Sequence, residues 1–234
     1  MTLKEKLLAH RIYLLLGGLF ITSLVVSNLI FQKFFYWYPV DIEVFGTKLF
    51  ELSVGILPYP ITFLITDLIS EIYGKKRAND VVVVGIFASL FSLFIVLVSN
   101  AAPATQWSPV NDGLFKTVFG STAIAVTASM MAYLFAQFID IQIYHFWKRL
   151  TKGRHLWLRN NFSTFSSQFV DTLTILILLC SFHIIEWDKF YGLLISGFLF
   201  KVLIALCDTP LLYLGVYLFR KRFKLKVNEE IQLV

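Results

Sequence analysis

Residues 80–98 read DVVVVGIFASLFSLFIVLV, nineteen residues of which only Asp80, at the edge, is ionisable. A helix rises 1.5 Å per residue, so about 20 apolar residues cross the roughly 30 Å hydrocarbon core of a bilayer. This run has the length and composition of such a span. Five more runs of spanning length surround it, at 12–31, 54–73, 117–147, 160–183 and 188–219. The fourth and sixth in chain order exceed a perpendicular crossing and imply tilt or extension past the lipid. The run at 12–31 is longer than a signal-peptide core and no small-x-small cleavage site follows it, so it reads as the first span. The expectation is an all-α integral membrane protein of six transmembrane helices, with 1–234 forming a single polytopic domain.

Composition agrees with that reading. Of the 234 residues 57% are hydrophobic and 15% charged, with 24 Phe and a mean hydropathy of +0.72. Soluble chains carry about 25% charged residues, so there is too little polar surface here to cover a water-soluble globule. The net charge of +6 and pI of about 9.3 do not indicate nucleic acid, because the basic residues sit in loops between apolar runs. Cys180 and Cys207 fall inside apolar stretches and are expected as buried free thiols, not as a disulfide or metal site.

Lys and Arg orient the chain. Sixteen of the 21 basic residues fall on one side, in the clusters around Lys4–Arg11, Lys75–Arg77, Lys148–Arg159 and Arg220–Lys226. Four (Lys33, Lys48, Lys116 and Lys189) fall on the other, and Lys201 lies within the last span. By the positive-inside rule both termini are cytoplasmic. The opposite side is aromatic, with Phe34, Phe35, Tyr36, Trp37 and Tyr38 at the expected interface. The stretch 40–50, with Gly46 at a turn, fits either a small outer hairpin or a surface helix.

Ionisable residues inside the spans carry the functional signal: Asp67, Asp140, Asp171, Lys201 and Asp208, with Glu71 near a boundary. Each costs roughly 3 kcal/mol at a helix centre, so together they cost on the order of 10 kcal/mol unless they face protein or water. Such residues mark a solute or proton path by default. On the fifth span Ser163, Ser167, Asp171 and Thr174 share one helical face, with Gln168 beside it. On the second span Thr62, Thr66 and Ser70 repeat the pattern, with Asp67 and Glu71 four apart and Pro58 and Pro60 at the outer end. The first span adds Ser27, Asn28 and Gln32. Lys201 and Asp208, seven apart on the sixth span, are each expected to pair with another helix. Asp140 has two readings, an ion pair with Lys148 or Arg149 or a place in the path. Gln137-Phe-Ile-Asp140 and Gln168-Phe-Val-Asp171 echo one another thirty-one residues apart.

The sequence Asp67-Leu-Ile-Ser-Glu71-Ile-Tyr73-Gly74-Lys-Lys-Arg77-Ala78 resembles the D-x-x-x-E-x-Y-G-x-x-x-A signature of YhhQ-type queuosine precursor transporters, also classed as vitamin uptake transporters (VUT). Ser27-Asn28 with Lys33, Ser167-Gln168-x-x-Asp171-Thr172, and Lys201 with Thr209-Pro210 agree in order and spacing. The resemblance covers about residues 23–220. It implies uptake of 7-deazaguanine bases (7-cyano-7-deazaguanine, 7-aminomethyl-7-deazaguanine or queuine) across the bacterial cytoplasmic (inner) membrane for tRNA modification.

The residue types suit such a solute. A guanine-like edge offers N1–H and an exocyclic amine, which one carboxylate accepts together, while an amide serves the carbonyl and ring nitrogens. The candidate substrate-binding set is Asn28, Asp67, Glu71, Gln168, Asp171, Lys201 and Asp208. Asp171 or Glu71 is expected to read the base edge, and Asp67 and Lys201 to balance charge or carry a proton. No cofactor or metal is expected; proton coupling is compatible with the carboxylates, and a homo-oligomer is left open. The alternative is a substrate-binding membrane subunit of a vitamin importer that needs a separate energising complex. The chain has no HExxH and no Gly-x-Ser-x-Gly, which argues against a membrane enzyme.

Overall fold

The computed structural model describes all residues except 1, 32, 37–41, 45–46, 49, 121–122, 153, 184, 228 and 233–234; the side chains of 34, 44, 47–48, 120, 123–126, 128–129, 133 and 159 are also outside the described set. Gln32, Trp37, Tyr38 and the Gly46 turn therefore lie outside the described residues. The chain forms long helices with one small β excursion. Helix α1 (Leu3–Ile30) is followed by strand β1 (Phe34–Tyr36), β2 (Glu43–Val44), β3 (Thr47–Lys48), β4 (Glu51–Ser53) and a 3-10 turn at Val54–Ile56. Then come α2 (Tyr59–Ile72), α3 (Lys75–Ala101), the short α4 (Asp112–Phe115) with a π turn at Lys116–Gly120, α5 (Ala123–Leu150), α6 (Leu156–Ser181) and α7 (Phe190–Phe223).

Among the described residues five segments are long and apolar enough to cross a membrane: Leu3–Ile30, Val54–Ile72, Lys75–Ala101, Leu156–Ser181 and Trp187–Phe223. The remaining expected run, 117–147, corresponds to α5, which begins at Ala123 after the π turn. The helices overrun several expected boundaries at their basic ends. Lys and Arg are good helix formers and nothing there breaks the ladder, so α3 starts at Lys75 and α7 continues to Phe223. At the N-terminus a capping box starts α1. The Thr2 hydroxyl accepts from the Glu5 N–H at 3.3 Å and the Thr2 N–H donates to Glu5 Oε2 at 2.7 Å.

Helix α2 is the axis of the bundle and packs against α1, α3, α5 and α7, while α6 lies between α5 and α7. Polarity is distributed as in a membrane protein. Thr62, Thr66, Ser70, Gln137, Asp140, Ser163 and Ser167 are fully buried, whereas Phe87, Phe91 and Phe94 on α3 are exposed. In water that face would be a large adhesive patch; against lipid it is matched. Cys180 is buried at the end of α6, but Cys207 is on the exposed face of α7, so the expectation of two buried thiols holds for the first only.

The stretch between α1 and α2 is a hairpin, not a helix. β1 pairs antiparallel with β4 (Phe34 opposite Ser53) and β2 with β3 (Glu43 opposite Lys48). Phe50 and Leu52 are buried against Phe200 of α7, the Phe50 and Phe200 rings meeting edge-on at 6.2 Å. The turn after β4 lies directly on α1. Ser27 donates to the Gly55 carbonyl, and a Cβ on Gly55 would stand 2.7 Å from the Ser27 carbonyl oxygen, so only glycine allows this approach.

Candidate functional site

Pro60 in the first turn of α2 removes an N–H that has no helical partner there. From that end a buried polar face runs the length of the helix. Thr62 and Thr66 turn their hydroxyls back onto the helix, to Tyr59 O at 2.6 Å and to Phe63 O at 3.0 Å. Opposite this face α5, α6 and α7 bring up their own polar side chains, and the contacts fall into successive levels.

At the first level Lys201 of α7 bonds Asp171 of α6, Nζ to Oδ2 at 2.5 Å, and Thr172 Oγ1 at 3.0 Å. The Lys201 ammonium also stands 4.8 Å from the centroid of the Tyr59 ring, a cation–π distance. Asp171 Oδ1 and Gln168 Oε1 are buried and receive no hydrogen bond among the described residues. Beside them opens a cavity of about 280 Å³, its mouth included, walled by Tyr59 and Phe63 of α2, Gln168 of α6, and Phe200, Lys201 and Asp208 of α7.

A second cavity of about 210 Å³ shares Phe63, Thr164, Ala205 and Asp208 with the first and reaches Asp67 and Asn160. The two adjoin through these four residues and extend from the Lys201 level to Asp67. Asp208 is half-buried on both walls and makes no hydrogen bond or ion pair among the described residues. This departs from the expectation that it pairs across to another helix. Its neighbour Thr209 bonds Asn161 Oδ1 at 3.2 Å and the Ala205 carbonyl at 3.1 Å, which steadies α7 just before Pro210.

Deeper still, Asp140 of α5 accepts from the Ser167 hydroxyl of α6 at 2.8 Å, with the Asp67 carboxyl within hydrogen-bonding reach. Thr66 and Gln137 meet at 3.5 Å one turn away. Asp140 is therefore not the partner of Lys148 or Arg149. Lys148 points instead to Glu71 Oε2 at 3.7 Å and Glu230 Oε1 at 2.9 Å. Glu71 is fully buried, bonded by Arg220 Nη2 at 2.6 Å and by the Tyr144 hydroxyl at 3.2 Å. The tail after α7 closes this level. Ile231 donates to the Ile72 carbonyl at 2.7 Å, and Glu230 packs over Gly74, which has φ +85°.

Six of the seven sequence candidates thus lie on one course through α2, α6 and α7. Gln168, Asp171, Lys201 and Asp208 surround the first cavity or its edge, Asp67 lines the second, and Glu71 sits in the ion-pair level beyond. Asn28 is elsewhere: it lines a separate cavity between α1 and α3 with Ser89 and Ser92. Tyr59, Tyr144, Arg220 and Glu230 were not singled out from sequence. Tyr144 was accessible to it, because Gln137, Asp140, Tyr144 and Lys148 recur at i, i+3, i+7 and i+11 on one face of α5.

Chemically the first cavity offers aromatic faces, an acceptor amide oxygen and an uncompensated carboxylate. Aromatic rings can stack on a flat solute and the acceptors can take hydrogen bonds from donor groups. Comparison with known proteins agrees with a carrier. Residues 53–215 match the family described as "Putative vitamin uptake transporter". A protein of Bacillus subtilis (strain 168) named "Probable queuosine precursor transporter" is 30% identical over 173 residues, 74% of this chain and 73% of that protein. The "Queuosine precursor transporter" of Escherichia coli (strain K12) is 27% identical over 165 residues, 67% of this chain and 69% of its own length. No solved structure matches the chain.

Proposed function

The chain belongs to the "Putative vitamin uptake transporter" family, and on that premise we propose that it imports 7-deazaguanine precursors of queuosine across the bacterial cytoplasmic membrane. It is a multi-pass membrane transporter and not an enzyme. The proposed topology has six spans with both ends in the cytoplasm, in keeping with the distribution of Lys and Arg.

The observation that carries the substrate reading is the cavity beside Asp208. Its lining combines aromatic faces with an amide and a carboxylate, the groups that a small bicyclic base calls for. Tyr59, Phe63 and Phe200 supply faces for the ring. Asp208, rather than Asp171 or Glu71, is the proposed reader of the base edge. Asp171 is already bound to Lys201, and Glu71 to Arg220 and Tyr144. A carboxylate with no protein donor among the described residues is free to accept N1–H and the exocyclic amine together. Gln168 presents an amide to the remaining ring groups, and Lys201 holds Asp171 while facing the same space.

The test uses a bacterium that makes no queuosine precursor and lacks its own importer. This chain is expressed there, and queuosine in tRNA is measured with nanomolar 7-cyano-7-deazaguanine, 7-aminomethyl-7-deazaguanine or queuine supplied. Restored queuosine supports solitary import and ranks the bases. No restoration, with the protein present in the membrane, sinks the reading in favour of another solute or a binding subunit that needs an energising partner.

A further inference from the structure

Asp140 is fully buried, and its Oδ2 receives no hydrogen bond among the described residues, although Ser167 satisfies Oδ1. The carboxyl within reach is that of Asp67, itself 3% exposed. Two buried carboxyl groups this close do not both remain ionised, and two acceptors form no hydrogen bond without a proton. One proton held between them supplies the missing donor. We propose that Asp67 and Asp140 form the binding site for a transported proton that couples uptake to the proton gradient, a reading that rests on the importer function above.

The surroundings favour a proton over a fixed cation. On the α6 side the groups facing the pair are Ser163, Thr164 and Ser167, all neutral. From α7 comes Asp208, across the cavity that Asp67 lines. Along α2 the next charge is Glu71, engaged by Arg220, with Lys148 of α5 at 3.7 Å. At the other end of the course Lys201 is held by Asp171. The charged residues of α1 and α3 (Lys4, Glu5, Lys6 and Arg11; Lys75, Lys76, Arg77 and Asp80) are confined to the first three turns of those helices. No described Lys or Arg bonds Asp140.

Asp67 lines the inner cavity, which shares Phe63, Thr164, Ala205 and Asp208 with the proposed base site, so the proton site and the base site adjoin. The step is a simple one. A proton from the outer water adds to a carboxylate oxygen, forming one O–H bond, and that bond breaks when the proton leaves to the cytoplasm. Loss of the proton leaves two repelling carboxylates, one on α2 and one on α5, which favours an arrangement with these helices apart. One proton moves inward per base.

The whole chain reconstituted in liposomes tests this with radiolabelled 7-cyano-7-deazaguanine and queuine. Exchange of labelled for unlabelled base is measured without a gradient, and net accumulation with the lumen one pH unit more alkaline. One-proton coupling gives accumulation of about tenfold per pH unit at equilibrium. In Asp140→Asn the ratio of gradient-driven to gradient-free accumulation falls to about one, whatever the residual exchange rate. Exchange by the unaltered protein with no response to the gradient overturns the proton site and leaves the importer standing. Absence of exchange for both bases overturns the importer reading, and this one with it. A gradient response that survives in Asp140→Asn also overturns the proposal. The measurement on the unaltered protein is decisive even where the variant does not fold.

Discussion

Arg220 and Glu71 are 149 residues apart in the chain, yet the guanidinium Nη2 stands 2.6 Å from Glu71 Oε1. The carboxylate is fully buried and the arginine about one quarter exposed. The bond fastens the end of α7 to the central helix α2. Removing one member of a buried pair strands the other, at a cost of about 3–5 kcal/mol.

Arg220→Ala is therefore expected to lower stability by about 3 kcal/mol, the low end because Tyr144 and Lys148 still face Glu71. Thermal unfolding in detergent measures it. The double variant Arg220→Ala with Glu71→Gln should recover part of the loss. An additive double variant would mean that the two groups do not depend on each other.

Asp208→Asn is expected to raise the KM for base uptake by roughly 10- to 100-fold, the equivalent of one charge-assisted hydrogen bond of about 1.5–3 kcal/mol. Membrane abundance should not change, because no described residue depends on the Asp208 carboxylate. Uptake at an unaltered KM would remove Asp208 from the base site.

Asp171 and Lys201 are expected to behave as a unit. Asp171→Asn removes the countercharge of the Lys201 ammonium, whose other described contacts are Thr172 and the Tyr59 ring, so uptake should weaken while the protein still reaches the membrane. Lys201→Met leaves Asp171 buried and uncompensated and should cost more stability. The two changes together should be more stable than Lys201→Met alone, as read by the unfolding temperature.

Gly74→Ala is expected to destabilise by about 1–3 kcal/mol, the strain of a side chain at φ +85°, ψ 170°. The added methyl would also lie 2.3 Å from Glu230 Oε2. Glu230→Ala in the same chain should relieve the clash but not the backbone strain. Partial recovery of the unfolding temperature is the outcome to look for.

Apolar run length made the helices readable from sequence, and the cost of charge in lipid made the intramembrane carboxylates readable as buried. Asp67, Asp140 and Asp171 are all at most 3% exposed. The partners were less legible because they depend on how helices rotate against each other. Asp140 and Lys148 share a face of α5, but eight residues separate them by about 12 Å along the axis, too far for a bond. Lys148 is thus left to reach Glu71. Asn28 has the composition of a site residue, yet its place on α1 turns it toward Ser89 of α3. The outer hairpin was ambiguous because its pairing spans residues 34–53, beyond any short-range periodicity.

Helix α2 also constrains how the protein is made. The segment Val54–Ile72 that contains it has the lowest mean hydropathy of the five membrane-compatible segments, and the helix carries Asp67 and Glu71. Lys148 and Arg220 are synthesised 77 and 149 residues after Glu71. At 5–20 residues per second, about 7–30 s pass before Arg220 follows Glu71 out of the ribosome. During that interval α2 has no stable place in open lipid, so it stays at the insertion machinery or against α1 and α3 until the later helices arrive. The contact that fastens α7 to α2 thus becomes available only late, and a ribosome stalled before α7 would leave a chain whose central helix has nowhere to settle.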